Sequence, residues 1–123
     1  IVAALKAAFS TPSPIQAQAW PIAITGVDLV AVAKTGSGKT LAFLLPLLHS
    51  LRSNPPPGGP AKCKVAPRAL VMAPTRELAQ QIQVQAEKFA PLVGCACACV
   101  YGGSPVHEQK AALLAKPPTL LVA

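Results

Sequence analysis

The sequence predicts an α/β fold, a parallel sheet with helices on its faces. Three observations predict it. Helix-like and strand-like segments alternate along nearly the whole chain. The strand candidates are short continuous apolar runs, the pattern of strands covered on both faces. A Gly-rich turn, Lys34 to Gly38, joins one such run directly to a helix. With 123 residues, 52% hydrophobic and 12% charged, the chain suffices for one core and is too apolar for a disordered segment.

The elements follow in order. Ile1 to Ala8 is Ala-rich and reads as the end of a helix, and Phe9 to Pro14 as a Pro-rich loop. Ile15 to Ile24 is a helix interrupted by Pro21 and stopped by Thr25-Gly26. Asp28 precedes Leu29 to Ala33, the apolar run of a buried strand. Lys39 to Ser53 is a helix with Pro46 as a kink. Asn54 to Pro60 (Asn-Pro-Pro-Pro-Gly-Gly-Pro) fits neither helix nor central strand, so a Pro-rich surface loop is expected over about 54–67. Ala69 to Ala73 is a strand, Arg76 to Phe89 a helix, Cys95 to Tyr101 a strand, Val106 to Leu114 a helix and Thr119 to Ala123 a strand. The chain does not open with Met and closes inside an apolar run. It is read as a fragment, one partial domain over 1–123.

Eleven Lys and Arg against four Asp and Glu give a net charge of +7, which favours a polyanionic partner such as nucleic acid or nucleotide phosphate. The densest apolar run, Leu41 to Leu48, is too short for a membrane helix and contains Pro46. No charged stretch followed by an apolar run opens the sequence, so a secretory signal is not expected. Of the cysteines Cys63, Cys95, Cys97 and Cys99, the last three alternate, which puts them on one face of a strand. That spacing is not the loop spacing of metal clusters, so they read as small apolar side chains under a sheet. The expected setting is reducing and intracellular, with nucleus and cytoplasm undecided. Trp20 reads as a packing residue, and His49 and His107 as structural or surface residues. Lys62, Lys64 and Arg68 read as a solvated basic loop, with added attraction for nucleic acid as the alternative.

The most specific signal is Ala33-Lys34-Thr35-Gly36-Ser37-Gly38-Lys39-Thr40, between a predicted strand and a predicted helix. Gly36 and Gly38 permit backbone turns closed to other residues and close approach to an anion. The N–H groups of the loop and the helix N-terminus supply partial positive charge. Lys39 reaches outer phosphates as a point charge, and the Thr40 hydroxyl is placed to ligate Mg2+. The pattern reads as a phosphate-binding loop for a nucleotide, with Thr35, Gly36, Ser37, Gly38, Lys39 and Thr40 as its members; the other reading is a Gly/Ser strand-to-helix turn with an incidental Lys.

Four segments together resemble the DEAD-box RNA helicases. Phe9-Ser10-Thr11-Pro12-Ser13-Pro14-Ile15-Gln16 matches the Q motif, and Ala33 to Thr40 motif I, with Ala33 in the form that family uses. Pro74-Thr75-Arg76-Glu77-Leu78 matches motif Ia, and Gly102-Gly103 the GG motif. Ala8 stands where the family usually has Gly. The resemblance runs from Phe9 to Ala123. It implies a partial RecA-like domain, ATP and Mg2+ as cofactors, and RNA as partner. It assigns Phe9 to stacking on adenine, Gln16 to the adenine edge, and Pro74, Thr75, Arg76, Gly102 and Gly103 to the RNA backbone. From the residues alone, a fixed Gln amide offers one donor and one acceptor to an adenine edge, and is otherwise a solvated Gln near a helix cap. Thr75 alone is a helix cap, and Gly102-Gly103 alone a turn.

ATP hydrolysis on such a loop also needs an acid to hold Mg2+ and orient water. In the family it comes from an Asp-Glu-Ala-Asp motif. The only acids here are Asp28, Glu77, Glu87 and Glu108. The resemblance thus implies RNA-stimulated ATP hydrolysis coupled to unwinding or remodelling in an intact parent, with slow or no turnover by this chain alone. The alternatives are a non-catalytic nucleotide- or RNA-binding P-loop module and a small-molecule kinase. A kinase would need an Arg-rich lid and an acceptor pocket, and the sequence supplies neither.

Overall fold

A computed structural model describes residues 11–55 and 67–123. Helix α1 spans Pro14–Ala23 and α2 spans Lys39–Ser53. Strand β1 (Ala69–Val71) leads into α3 (Arg76–Phe89) and a 3-10 turn at Ala90–Val93. Strand β2 (Cys97–Cys99), helix α4 (Val106–Ala115) and strand β3 (Leu120–Val122) complete the described elements.

The sheet is parallel, in the order β1-β3-β2. Ala69 pairs with Leu120 and Val71 with Val122 on one side of β3; Cys97 pairs with Leu120 and Cys99 with Val122 on the other. Both parallel connections pass through a helix, as parallel pairing requires. As the central strand, β3 is the most enclosed, and Leu120 and Val122 are fully buried. They join Leu41, Leu44, Leu45, Leu48 and Leu51 of α2 and Ala79, Ile82, Ala86 and Phe89 of α3 in one core. The α2 positions recur every three to four residues, which lines one face of a helix. Pro46 sits inside α2 and is buried among them.

The helices at 39–53 and 76–89 lie where the sequence places them; β1 begins at Ala69 as expected and ends two residues early, and β2 and β3 are shorter than expected at both ends. The largest difference is at Leu29 to Ala33. This run makes no backbone–backbone hydrogen bond among the described residues and joins no strand. Val30 and Val32 are 92% and 91% exposed, so the segment is not the buried strand its apolarity suggests. No other strand pairs with it among the described residues. A cavity of about 750 Å³ is lined by Val27, Leu29 and Ala31 from this stretch and by Phe43, Leu70 and Met72. Hydropathy marks a segment fit to pair; only a neighbouring backbone makes it a strand.

Arg68 also differs from a solvated loop residue. Its guanidinium donates to the Leu51 carbonyl at 3.1 Å and to the Asn54 carbonyl, closing the C-terminal end of α2. Lys62, Lys64 and Cys63 lie outside the described residues. Burial pushes the Cys95 thiol up, against the pull of Arg68. Burial, then Glu87 and then Cys99, push the Cys97 thiol up to about 11. Burial and Glu87 raise Cys99 too. These thiols pack as neutral apolar groups. Among the described residues, no three His, Cys, Asp or Glu converge at metal-binding range, and no helix is long and apolar enough to cross a membrane.

Candidate nucleotide and nucleic-acid site

The turn from Thr35 to Gly38 leads straight into α2. Gly36 and Gly38 both take positive φ, 78° and 90°, and Gly38 is the N-cap of α2. An L-residue in this region costs about 1–2 kcal/mol, so glycine is the fitting choice. The first intrahelical bond runs from the Ala42 N–H to the Gly38 carbonyl at 3.2 Å. The N–H groups of Lys39, Thr40 and Leu41 therefore precede the helical ladder, and no side chain caps them. Lys39 is folded into the turn. Its ammonium donates to the Lys34 carbonyl at 2.8 Å and to the Ala33 carbonyl.

The side chains around this turn test whether a phosphate group belongs there. The Ser37 and Ser13 hydroxyls are buried and have no hydrogen-bond partner. Orphaned buried polar atoms are uncommon and call for a partner. Two unpartnered hydroxyls, free helix-end N–H groups and a lysine held by neutral carbonyls fit an anion with many acceptor oxygens. Thr40 is half-buried in the first turn of α2, and its hydroxyl is of the type that joins Mg2+ to phosphate.

Gln16 is buried and ties α1 to this turn. Its Oε1 accepts from the Ser13 N–H at 3.1 Å, and its Nε2 donates to the Gly38 carbonyl at 3.2 Å. A Gln amide has two donor hydrogens and two acceptor lone pairs, so one of each is left for a ligand. A Cβ at Gly38 would lie 2.5 Å from Gln16 Nε2 and 3.0 Å from Ser13 Oγ, so glycine is needed here for space as well as for φ. Trp20 is half-buried against the core and donates from Nε1 to the Leu41 carbonyl at 3.1 Å, a second link between α1 and α2. Phe9 lies outside the described residues.

A second cluster forms at the carboxyl edge of the sheet. Because β1 and β2 are parallel, the segments leaving their C-terminal ends emerge on the same side. Pro74 and Thr75 follow β1. Thr75 Oγ accepts from the Leu78 N–H at 3.3 Å and caps α3. Arg76 opens α3, and its guanidinium carbon lies 4.5 Å from the centre of the Tyr101 ring. Gly102 and Gly103 follow β2, with Gly103 at φ +82°. The structure thus brings Arg76 and the Gly102-Gly103 turn together. The turn at 35–38 and Gln16 form their own cluster at the start of α2. His49 is exposed, with Ser53 Oγ at 3.5 Å, and His107 is 4.0 Å from Glu108 on the surface.

Sequence reasoning passed over Ser13, Tyr101 and Gln109. The Gln109 side chain accepts from the Tyr101 N–H at 3.0 Å and donates to the Tyr101 and Ser104 carbonyls at 3.1 and 3.2 Å. The available signal was position: an amide one turn into the helix that follows a Gly-Gly pair is within reach of that turn's backbone.

A family model for DEAD/DEAH box helicases matches residues 13–123. The chain belongs to this family, and its fold is RecA-like. It is 52% identical over 107 residues to an ATP-dependent RNA helicase-like protein, DB10, of Nicotiana sylvestris, covering 85% of this chain and 16% of that protein. It is 53% identical over 105 residues to DEAD-box ATP-dependent RNA helicase 46 of Arabidopsis thaliana, covering 85% and 15%. The chain therefore spans about a sixth of the length of these relatives. The crystal structure of the RNA-helicase Prp28 from Chaetomium thermophilum, bound to ADP, is similar at TM-score 0.82 and 41% identity, over 99% of this chain and 29% of that one.

Proposed function

We propose that this chain carries the nucleotide-binding and part of the RNA-binding surface of an ATP-dependent RNA helicase, in which RNA-stimulated ATP hydrolysis drives duplex unwinding or remodelling. The observation that carries the reading is the turn at 35–38. Two left-handed glycines, an uncapped helix end and the unpartnered Ser37 hydroxyl form a cradle for a polyphosphate. Lys39 exchanges the Ala33 and Lys34 carbonyls for phosphate oxygens. Thr40 would hold Mg2+, which would supply positive charge beside the phosphates. The remaining donor and acceptor of Gln16 read the adenine edge. Pro74, Thr75, Arg76, Gly102 and Gly103 follow the RNA backbone, and the +7 charge attracts it.

Hydrolysis needs more than this cradle. Among the described residues no carboxylate bonds Lys39 or Thr40. The chain alone is expected to bind ATP and turn it over slowly or not at all. A fluorescent ATP analogue titrated with Mg2+ tests the binding. Saturable binding lost in Lys39→Ala is expected; equal binding by the variant would remove the loop's role. Gln16→Ala should narrow the preference for ATP over GTP, and unchanged relative affinities would dismiss its adenine contact.

A further inference from the structure

The Arg76–Tyr101–Gln109 cluster holds more contacts than a cap and a turn require. The single Gln109 amide binds both ends of the Gly102-Gly103 turn, through the Tyr101 N–H and carbonyl on one side and the Ser104 carbonyl on the other. This fixes a turn whose glycines would otherwise be the loosest backbone at the sheet edge. Tyr101, so fixed, places its ring 4.5 Å from the Arg76 guanidinium carbon. The Arg76 side chain makes no hydrogen bond or ion pair among the described residues. A guanidinium stacked on a ring keeps its edge N–H donors free and in one plane, the arrangement that meets a phosphate in two bonds. A Cβ built on Gly103 would be 4.0 Å from Arg76 Nη1, so turn and guanidinium lie side by side.

We propose that Tyr101 and Gln109 are positioning residues for the RNA backbone: Gln109 sets the Gly102-Gly103 turn, and the Tyr101 ring holds Arg76 beside it, so that one stretch of phosphodiester meets both. This rests on the reading of residues 74–76 and 102–103 as an RNA surface. Neither positioning side chain need touch RNA. Their effect passes through Arg76 and the turn, so losing either costs a phosphate contact as well as local order.

The test is a fluorescence-anisotropy titration of a labelled single-stranded oligouridylate with the whole chain, repeated over a salt series. Circular dichroism accompanies each variant. Arg76→Ala, Tyr101→Leu and Gln109→Met should each weaken binding about threefold to tenfold. Each should also flatten the slope of log affinity against log salt by about 0.7, the loss of one phosphate contact on a single strand. Tyr101→Phe keeps the ring and should bind like the parent. Tyr101→Leu combined with Arg76→Ala should be no weaker than Arg76→Ala alone.

If Arg76→Ala weakens binding while Tyr101→Leu and Gln109→Met keep the parental affinity and salt slope, the positioning role falls and the RNA surface stands. If the parent does not bind, or Arg76→Ala changes nothing, the RNA surface falls and the positioning role with it. A variant-free readout covers any loss of folding. In the parent, NMR signals of Arg76 Nε–H and the Gly102 and Gly103 amides should move with one common midpoint as oligouridylate is added. Separate midpoints would overturn the coupling.

Discussion

Gly38→Ala separates two reasons for the same glycine, and Gly36→Ala is its control. Gly36 has φ 78° and open space where a Cβ would go. Alanine there should cost only the left-handed penalty, about 1–2 kcal/mol. Gly38 has φ 90° and Gln16 Nε2 only 2.5 Å from the added carbon. Alanine there incurs the same penalty and also drives the amide off the Gly38 carbonyl. Gln16 is 8% exposed, so a displaced amide is left without water, at about 1–3 kcal/mol more. The expected totals are about 1–2 kcal/mol for Gly36→Ala and about 2–5 for Gly38→Ala. The assay is urea unfolding followed by fluorescence of Trp20, the one tryptophan, whose Nε1 bonds the Leu41 carbonyl within the same α1–α2 joint. In a Gln16→Ala background the excess at Gly38 should shrink toward the Gly36 value. Equal costs for the two alanines, or an excess that survives Gln16→Ala intact, would refute the reasoning.

Other outcomes follow from the same structure. Thr75→Ala removes the cap on α3 and should lower stability by about 1 kcal/mol, with Thr75→Ser restoring most of it, as read in the same urea titration. The Cys97 thiol has an ordinary pKa of 9.0 and is raised in the fold to about 11. Between these values the unfolded chain gives up this proton while the folded chain keeps it, so stability falls as pH rises from about 9 to about 11. Melting curves across that window should fall less in Cys97→Val than in the parent, and parallel curves would count against the burial of this thiol.

Much of this arrangement could be read from residue order. The helices at 39–53 and 76–89 have clear starts, a Gly-ended turn for one and Thr75 for the other, and apolar positions at helical spacing. The Gly36–Gly38 turn and the helix it opens were legible because glycines, lysine and helix are local to one another. Gln16 was legible as a fixed amide, but its bond to the Gly38 carbonyl spans 22 residues and depends on how α1 lies against α2. The Arg76–Tyr101 contact is likewise tertiary, set by parallel strands whose register no local pattern states. Leu29 to Ala33 shows the opposite limit. Its composition is that of a strand, yet pairing belongs to two segments and is not a property of one.

That unpaired run also governs how the molecule behaves in a test tube. Val30 and Val32 stand almost fully in water, on a stretch whose amides and carbonyls bond to no other backbone. Such a stretch is a template on which other chains can align and stack. The +7 charge opposes this at low ionic strength and is screened as salt rises. Concentrated, salty samples are therefore expected to precipitate first, and a lysine substituted at Val30 or Val32 is expected to keep the protein dispersed.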